Sequence, residues 1–195
     1  MKTTTILLAI IALVYTGCKG KGGNASDKNK NDSSHFFQTN IIFQKDIKEV
    51  EATPFYIYKL EKINDKTDST QINTAAFMQL AVQFLKPDIS SEELKTKYKE
   101  SIFEDQTTAS ITINYSALDK ELEVQSEDIL MKDDGKTVKN IFIRKFFKYG
   151  SDSSAIEQLN WKPGERFQVV RSVQKKDNTE TNYQTTVVWN EKAKD

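Results

Sequence analysis

The chain has few of the side chains on which most enzyme and metal sites depend. Its 195 residues include one cysteine, Cys18, and one histidine, His35. A single cysteine excludes an intramolecular disulfide and any zinc site built from several cysteines. A single histidine excludes most catalytic and metal constellations, because imidazole is the usual base and ligand near neutral pH. We therefore expect neither a metal nor a cofactor.

The sequence also has no net charge and none of the common catalytic motifs. Its 28 lysines and arginines balance 28 aspartates and glutamates, so the chain has no overall electrostatic preference for nucleic acid. It contains no GxSxG, HExxH or CxxC sequence and no phosphate-binding loop. Side-chain chemistry that needs only aspartate and glutamate remains open.

Four pairs of adjacent carboxylates are the candidates for such chemistry. Two have local explanations, since a capping sequence accounts for Glu92/Glu93 and a hairpin turn for Asp133/Asp134. The pair Glu127/Asp128 lies in the middle of a predicted strand, where neighbouring side chains point to opposite faces. We expect a β-bulge there, and the alternative is one buried functional carboxylate. The pairs are Glu92/Glu93, Glu104/Asp105, Glu127/Asp128 and Asp133/Asp134.

No hydrophobic run is long enough to span a bilayer. Lys2 is followed by the apolar stretch Ile6–Val14, which has about half of the ~20 residues that a transmembrane helix needs. A basic residue before a short apolar stretch is typical of a secretory signal peptide. We therefore expect residues 1–17 to be a signal sequence.

The residues after this run resemble the lipobox of bacterial lipoproteins. Thr16 and Gly17 precede Cys18, and Tyr15 stands where that family usually has leucine. The resemblance implies that the peptide before Cys18 is removed and that the cysteine is lipidated, with palmitate among the acyl chains. It covers about the first tenth of the chain and implies a location in the bacterial cell envelope, either periplasmic or surface-exposed. The alternatives are an ordinary signal peptide with a free thiol and a short uncleaved anchor.

A polar segment follows the cysteine. Residues 19–34 contain no apolar side chain larger than that of Ala25, so they cannot bury enough surface to offset the cost of ordering. We expect residues 18–35 to be a tether of roughly 20–25 Å, with His35 at its end in no catalytic role.

Residues 36–195 have the composition of one globular domain, which we expect to contain two or three N-terminal helices. The first runs from the hydrophobic stretch at Phe36 toward Glu51. The second, 74–85, has apolar residues at helical spacing and ends before Pro87. A capping box formed by Ser90 and Glu93 predicts a third.

The rest of the domain alternates with the period of β-strands. Short connections with turn sequences favour antiparallel neighbours, so we expect an α+β fold in which the helices pack on a twisted meander of about six strands. One further strand, 55–63, comes before the second helix, and residues 64–69 are predicted to be a polar turn. The meander strands are predicted at 109–115, 122–131, 138–149, 155–161, 167–174 and 183–189.

Aromatic side chains supply the only candidate ligand site. The stretch Ile141–Tyr149 mixes basic and aromatic residues, as in sheets that stack nucleic-acid bases, but export argues against that partner. A central strand with both faces partly covered also explains the stretch, and a surface for peptide, glycan or lipid is the other interpretation. Trp161 and Trp189 end their strands either as core residues or at the rim of a binding face. The candidates are Phe77, Phe84, Phe142, Phe147, Trp161 and Trp189.

From these patterns we expect a membrane-anchored envelope lipoprotein whose domain binds or scaffolds a partner without catalysis. The partner would be an envelope protein, a glycan or an apolar ligand, besides the membrane itself. One alternative is a carrier that holds an apolar ligand between sheet and helices, which requires an unfilled pocket lined by Phe77, Phe84, Phe142 and Phe147. The other is a carboxylate-dependent hydrolase with two acids facing each other across a cleft.

Overall fold

The computed structural model describes residues 36–64 and 66–190. Cys18, His35, the signal sequence and the tether lie outside these residues. The described part contains two α-helices, one short 3₁₀ helix (Lys95–Lys97) and nine β-strands. In chain order the main elements are α1 Thr39–Ala52, β1 Ile57–Ile63, β2 Lys66–Ile72, α2 Thr74–Leu85, β3 Tyr98–Asp105, β4 Ser110–Ala117, β5 Val124–Lys132, β6 Val138–Tyr149, β7 Ser153–Lys162, β8 Arg166–Lys175 and β9 Glu180–Val188.

All nine strands belong to one antiparallel sheet with the spatial order β2-β1-β9-β8-β7-β6-β5-β4-β3. Strands β3 to β9 form a meander, as their short connections require. The β1–β2 hairpin joins the far side of β9, where Tyr58 pairs with Val188. The β1–β2 hairpin therefore extends the sheet from the last of the described strands.

The prediction of two or three helices on about six strands is wrong. The sheet has nine strands and the described residues contain two α-helices. Helix α2 was predicted at its observed bounds, and Asn73 caps it by accepting a hydrogen bond from the backbone N–H of Ala76 at 2.9 Å. Helix α1 and strand β6 also lie where the sequence predicts them. The errors concern two edge strands.

The first error is strand β3, which was predicted as a third helix. Ser90 does not cap a helix here, because both its backbone N–H and its hydroxyl donate to the carboxylate of Asp88. Residues 98–105 instead pair with β4 along their whole length, and the buried hydroxyl of Tyr98 donates to the carbonyl of Val124 at 2.9 Å. These long-range contacts outweigh a local capping signal that is worth about 1 kcal/mol.

The second error is strand β2, part of which was predicted as a polar turn. Six of its seven residues are exposed, since the strand lies at the edge of the sheet. Strand β2 has no buried face, so its sequence lacks the alternation that marks a strand. The turn itself is confined to the positions around Asn64, whose backbone φ is 52°.

Both helices cover the same face of the sheet. Phe43 of α1 lies 5.0 Å from the ring of Trp161, and Phe77 of α2 lies 5.6 Å from that of Phe167. Trp161 and Phe167 are paired neighbours on β7 and β8, so their side chains point to one face. We call this side the covered face and the opposite side the open face, because no described helix packs on it.

Candidate functional site: the open face of the sheet

Strand β6 contributes side chains to both faces of the sheet. Alternate residues Ile141, Ile143 and Lys145 are buried on the covered face. The residues that alternate with these point to the open face. In chain order their side chains are aromatic, cationic, aromatic and cationic. They are Phe142, Arg144, Phe146 and Lys148.

Phe142 lies in a row of directly paired residues that crosses five neighbouring strands. Asp128 of β5 pairs with Phe142, which pairs with Asn160, followed by Gln168 and Thr186. At the usual spacing of neighbouring strands, this row extends about 19 Å. Asparagine, glutamine and threonine side chains both donate and accept hydrogen bonds, so the row can bind polar groups of either kind.

A second row lies beside the first and supplies the positive charge. Arg144 pairs with Ser126 on one side and with Gln158 on the other, and Gln158 pairs with Val170. All members of the two rows except Thr186 line a shallow depression of about 270 Å³ in the middle of the open face. Its lining combines one exposed aromatic ring, one guanidinium and several amides.

Part of this surface is held in place by its own hydrogen bonds. Asn114 donates to the carboxylate of Asp128 at 2.6 Å, and Gln168 donates to the hydroxyl of Thr186 at 3.1 Å. These bonds restrain both ends of the row, whereas Phe142 between them is 39% exposed. Restrained polar groups around an exposed ring favour binding, because less side-chain entropy is lost when a partner arrives.

The structure does not bring the six predicted ligand residues together. Four of them, Phe77, Phe84, Trp161 and Trp189, are buried in one aromatic block on the covered face. Ring centroids in this block are 4.9 to 5.4 Å apart, as for Phe84 with Trp161 and Trp161 with Trp189. Trp161 and Trp189 therefore belong to the core.

The other two predicted ligand residues lie on opposite faces. Phe142 is on the open face, and Phe147 points to the covered side at the margin of a cleft of about 920 Å³. Phe77 and Phe84 are 0% and 3% exposed, and neither lines any of four pockets in the described residues, the cleft and the open-face depression among them. The filled aromatic block gives the apolar-ligand carrier no support.

The cleft beside Phe147 has a buried lysine in its wall. The amine of Lys145 donates to the carbonyl of Gln83 at 2.9 Å and to that of Lys86, and it pairs with the carboxylate of Glu123 at 3.1 Å. Three acceptors satisfy all three ammonium protons. Lys145 thus holds the C-terminal end of α2 against the sheet.

The expected β-bulge at Glu127 and Asp128 is absent, and this prediction is wrong. Both residues pair regularly with β6. The register shifts between β5 and β6 lie on either side of them, one between Val124 and Ser126 and the other between Leu130 and Met131. Glu127 consequently points into the covered face, where it is 3% exposed, and Asp128 points to the open face.

The surroundings of Glu127 favour its neutral form. Burial raises its pKa to about 7, and the charge of Asp88 acts in the same direction, while a hydrogen bond with Thr39 and the charge of Lys145 oppose the shift. Its Oε1 atom is buried and has no hydrogen-bond partner among the described residues. Because Asp128 lies on the other face, the two carboxylates cannot act on one substrate.

In each of the remaining carboxylate pairs, one member has a structural role. Asp105 accepts hydrogen bonds from Thr107 and Thr108, which lower its pKa to about 2. Asp134 is bonded in the same way to Thr137, and its pKa is also lowered to about 2. Glu92 forms an ion pair with Lys95 at 2.6 Å. These arrangements support turns and give the hydrolase alternative no pair of facing acids.

Sequence reasoning missed two buried charged residues on the covered face. Asp46 accepts hydrogen bonds from the indole N–H of Trp161 and from the backbone N–H of Gly164, both at 2.8 Å. Its position between Phe43 and Val50 on the buried side of α1 was an available signal. Glu157 pairs with Arg171 at 3.0 Å and lies at the strand position that alternation assigns to the core.

Searches of the described residues found neither a cluster of three potential metal ligands nor a helix long and apolar enough to cross a membrane. Comparisons with family models, curated proteins and solved structures produced no match.

Proposed function

We propose that the chain is a lipid-anchored protein of the bacterial envelope whose domain binds a hydroxyl-rich partner, such as an envelope glycan, on the open face. The observation that carries this proposal is the depression around Phe142, where amides, a carboxylate and a guanidinium surround an exposed ring in the centre of the sheet. On an interior strand, such a ring is normally covered by another secondary-structure element. A ring without a described cover is a natural contact for a ligand.

The chemistry of the two rows matches a sugar chain better than it matches a lipid. Each sugar hydroxyl both donates and accepts, and the amides of Asn160, Gln158 and Gln168 do the same. The apolar face of a sugar ring can pack on the ring of Phe142, and Arg144 can pair with an acidic group of the glycan. The strands fix the spacing of these groups, so an extended ligand meets a regular array.

Binding to an array of soluble peptidoglycan fragments and envelope polysaccharide chains tests this proposal. We expect the full chain to bind at least one class of glycan and Phe142→Ala to weaken that binding by tenfold or more. Arg144→Gln should weaken binding to acidic glycans only. The matched control is Tyr56→Ala, which removes an aromatic ring that is 55% exposed before strand β1.

Two results would count against the glycan. Equal binding by Phe142→Ala and the unaltered chain would move the site away from the open face. Failure of every glycan to bind, together with capture of an envelope protein that depends on Phe142, would assign the same face to a protein partner.

The anchor is tested separately by mass measurement of the mature N-terminus. Lipidation predicts that the chain begins at Cys18 with acyl chains attached. A mature chain with an unmodified Cys18 thiol would refute it.

A further inference from the structure

The outer edge of strand β3 differs from that of a protected edge strand. Ile102 and Phe103 are 60% and 67% exposed on it, and no described strand pairs with its outer side. At the other end of the sheet, the six exposed residues of strand β2 are all polar, so that edge offers no exposed apolar side chain to a second strand. The β3 edge therefore combines backbone groups that no described strand pairs with and exposed apolar side chains.

The hydrogen bonding of β3 with β4 shows which backbone groups face outward. The N–H of Leu118 donates to the carbonyl of Lys97, which identifies Lys97 and Leu118 as a hydrogen-bonded pair in the antiparallel ladder. Because such pairs alternate, Ser101 directs its N–H and carbonyl toward β4. The outward groups are those of Tyr98, Glu100, Ile102 and Glu104.

The charged side chains that share a face with Ser101 are divided by sign. Lys99 and Lys97, the last residue of the preceding 3₁₀ helix, come before Ser101, and Asp105 comes after it. Two antiparallel copies related by a two-fold axis through Ser101 therefore place Lys97 opposite Asp105, twice by symmetry. The hydrogen bonds that hold the Asp105 carboxylate also keep it ionised near neutral pH.

Only the register with its two-fold axis at Ser101 pairs opposite charges without also placing two charges of the same sign opposite each other. A two-fold axis at Glu100 places that residue opposite its own copy, and an axis at Ile102 places Glu100 opposite Glu104. An axis at Phe103 brings the two Phe103 rings together but leaves the lysines without an acidic partner. With the axis at Ser101, the aliphatic stem of Lys99 packs against Phe103 of the second copy.

We propose that the chain forms a two-fold symmetric dimer by antiparallel pairing of the β3 edges of two copies about Ser101. Glu100 pairs with Ile102 and Tyr98 with Glu104 through the outward backbone groups. The interface is small, so anchoring of both copies in one membrane would strengthen it by raising their local concentration. The dimer does not depend on what the open face binds.

Disulfide trapping in membranes that contain the full chain tests this dimer. Two Ser101 residues face each other as a non-hydrogen-bonded pair, the pair type with the shorter Cβ separation, so Ser101→Cys should give a disulfide-linked dimer on oxidation. Ser69→Cys is the matched control, since it places a thiol on an exposed serine of the β2 edge. We expect at least fivefold more dimer from Ser101→Cys than from Ser69→Cys or the unaltered chain.

Other results would assign the edge differently. Equal dimer from both cysteine variants would refute the proposal. A disulfide between the new cysteine and a different protein would show another partner.

Two charge variants in the Ser101→Cys background test the register. Phe103→Lys places an ammonium opposite Lys99 of the second copy and should lower the trapped dimer about tenfold. Phe103→Glu creates an opposite-charge pair there and should leave the dimer near its original level. Ile41→Lys, which alters a 61% exposed side chain on α1, is the control for added charge. Equal loss in both Phe103 variants would contradict this register.

Discussion

The two faces of the sheet are built from the same strands but have different surroundings. On the covered face, a packed aromatic block with Trp161 at its centre joins both helices to the sheet. On the open face, Phe142 lies on the strand next to that of Trp161, surrounded by polar side chains. Strand alternation thus separates the packed core from the surface that we propose as the binding site, so substitutions on each face should affect different measurements.

The largest expected effect is on the covered face. Trp161→Ala should lower the free energy of unfolding by about 3–5 kcal/mol, because it leaves a cavity where four other aromatic rings make contact. Chemical denaturation monitored by circular dichroism measures this change. A loss below 1 kcal/mol would mean that the aromatic block is not the stabilising core.

The second-largest effect depends on pH and comes from the buried carboxyl group of Glu127. Folding raises the pKa of Glu127 from 4.5 to about 7. Its contribution to stability is therefore fully present below pH 4.5 and is lost as the pH rises through 7. Relative to Glu127→Gln, the unaltered chain should lose up to about 3 kcal/mol of unfolding free energy between pH 4 and pH 8.

Denaturation of both proteins across that pH range checks this difference. Asp128→Asn is the control from the open face and should not reproduce it. Parallel curves for the unaltered chain and Glu127→Gln would show that the carboxyl is solvated.

The contact between α1 and strand β7 should give a smaller loss. Asp46→Ala leaves the indole N–H of Trp161 and the backbone N–H of Gly164 without their acceptor, and we expect a cost of about 2–3 kcal/mol. Asp46→Asn keeps one acceptor oxygen and should cost less than half as much. Equal losses in the two variants would point to the negative charge rather than to the hydrogen bonds.

The smallest change in stability is expected on the open face. Phe142→Ala should lower the free energy of unfolding by about 1 kcal/mol, since its side chain is 39% exposed and lies outside the aromatic block of the covered face. The same denaturation experiment that finds a large loss for Trp161→Ala provides the comparison. A loss of 3 kcal/mol at Phe142 would mean that both faces contribute to the core.

The sequence predicted those elements whose side chains face two different environments. Strand β6 alternates between the core and the open face, and helix α2 has an apolar stripe between a capping asparagine and a lysine–proline end. The two edge strands lack that contrast. Strand β2 is exposed on both sides, and β3 carries a capping sequence whose local preference is overruled by pairing with β4.

The candidate site was predictable only in part. Phe142 was identified because aromatic and basic residues are mixed in its strand, but alternation alone cannot say which face the helices cover. Asn160 and Gln168 join Phe142 only through the register of three strands, which depends on the turns at both ends. Four candidates were placed in the core instead, because large aromatic residues serve both cores and binding faces.

The position of strand β1 beside β9 has a consequence for how the chain acquires its structure. Tyr58 can pair with Val188 only after nearly all of the domain has been synthesised. Until then, β9's place in the sheet is empty, and the N-terminal hairpin has no strand on which to dock. Contacts between residues so far apart in sequence slow folding. Loss of β9 would therefore leave the β1–β2 hairpin without a strand to pair with. A truncated product would also expose the edges of interior strands, which favour aggregation.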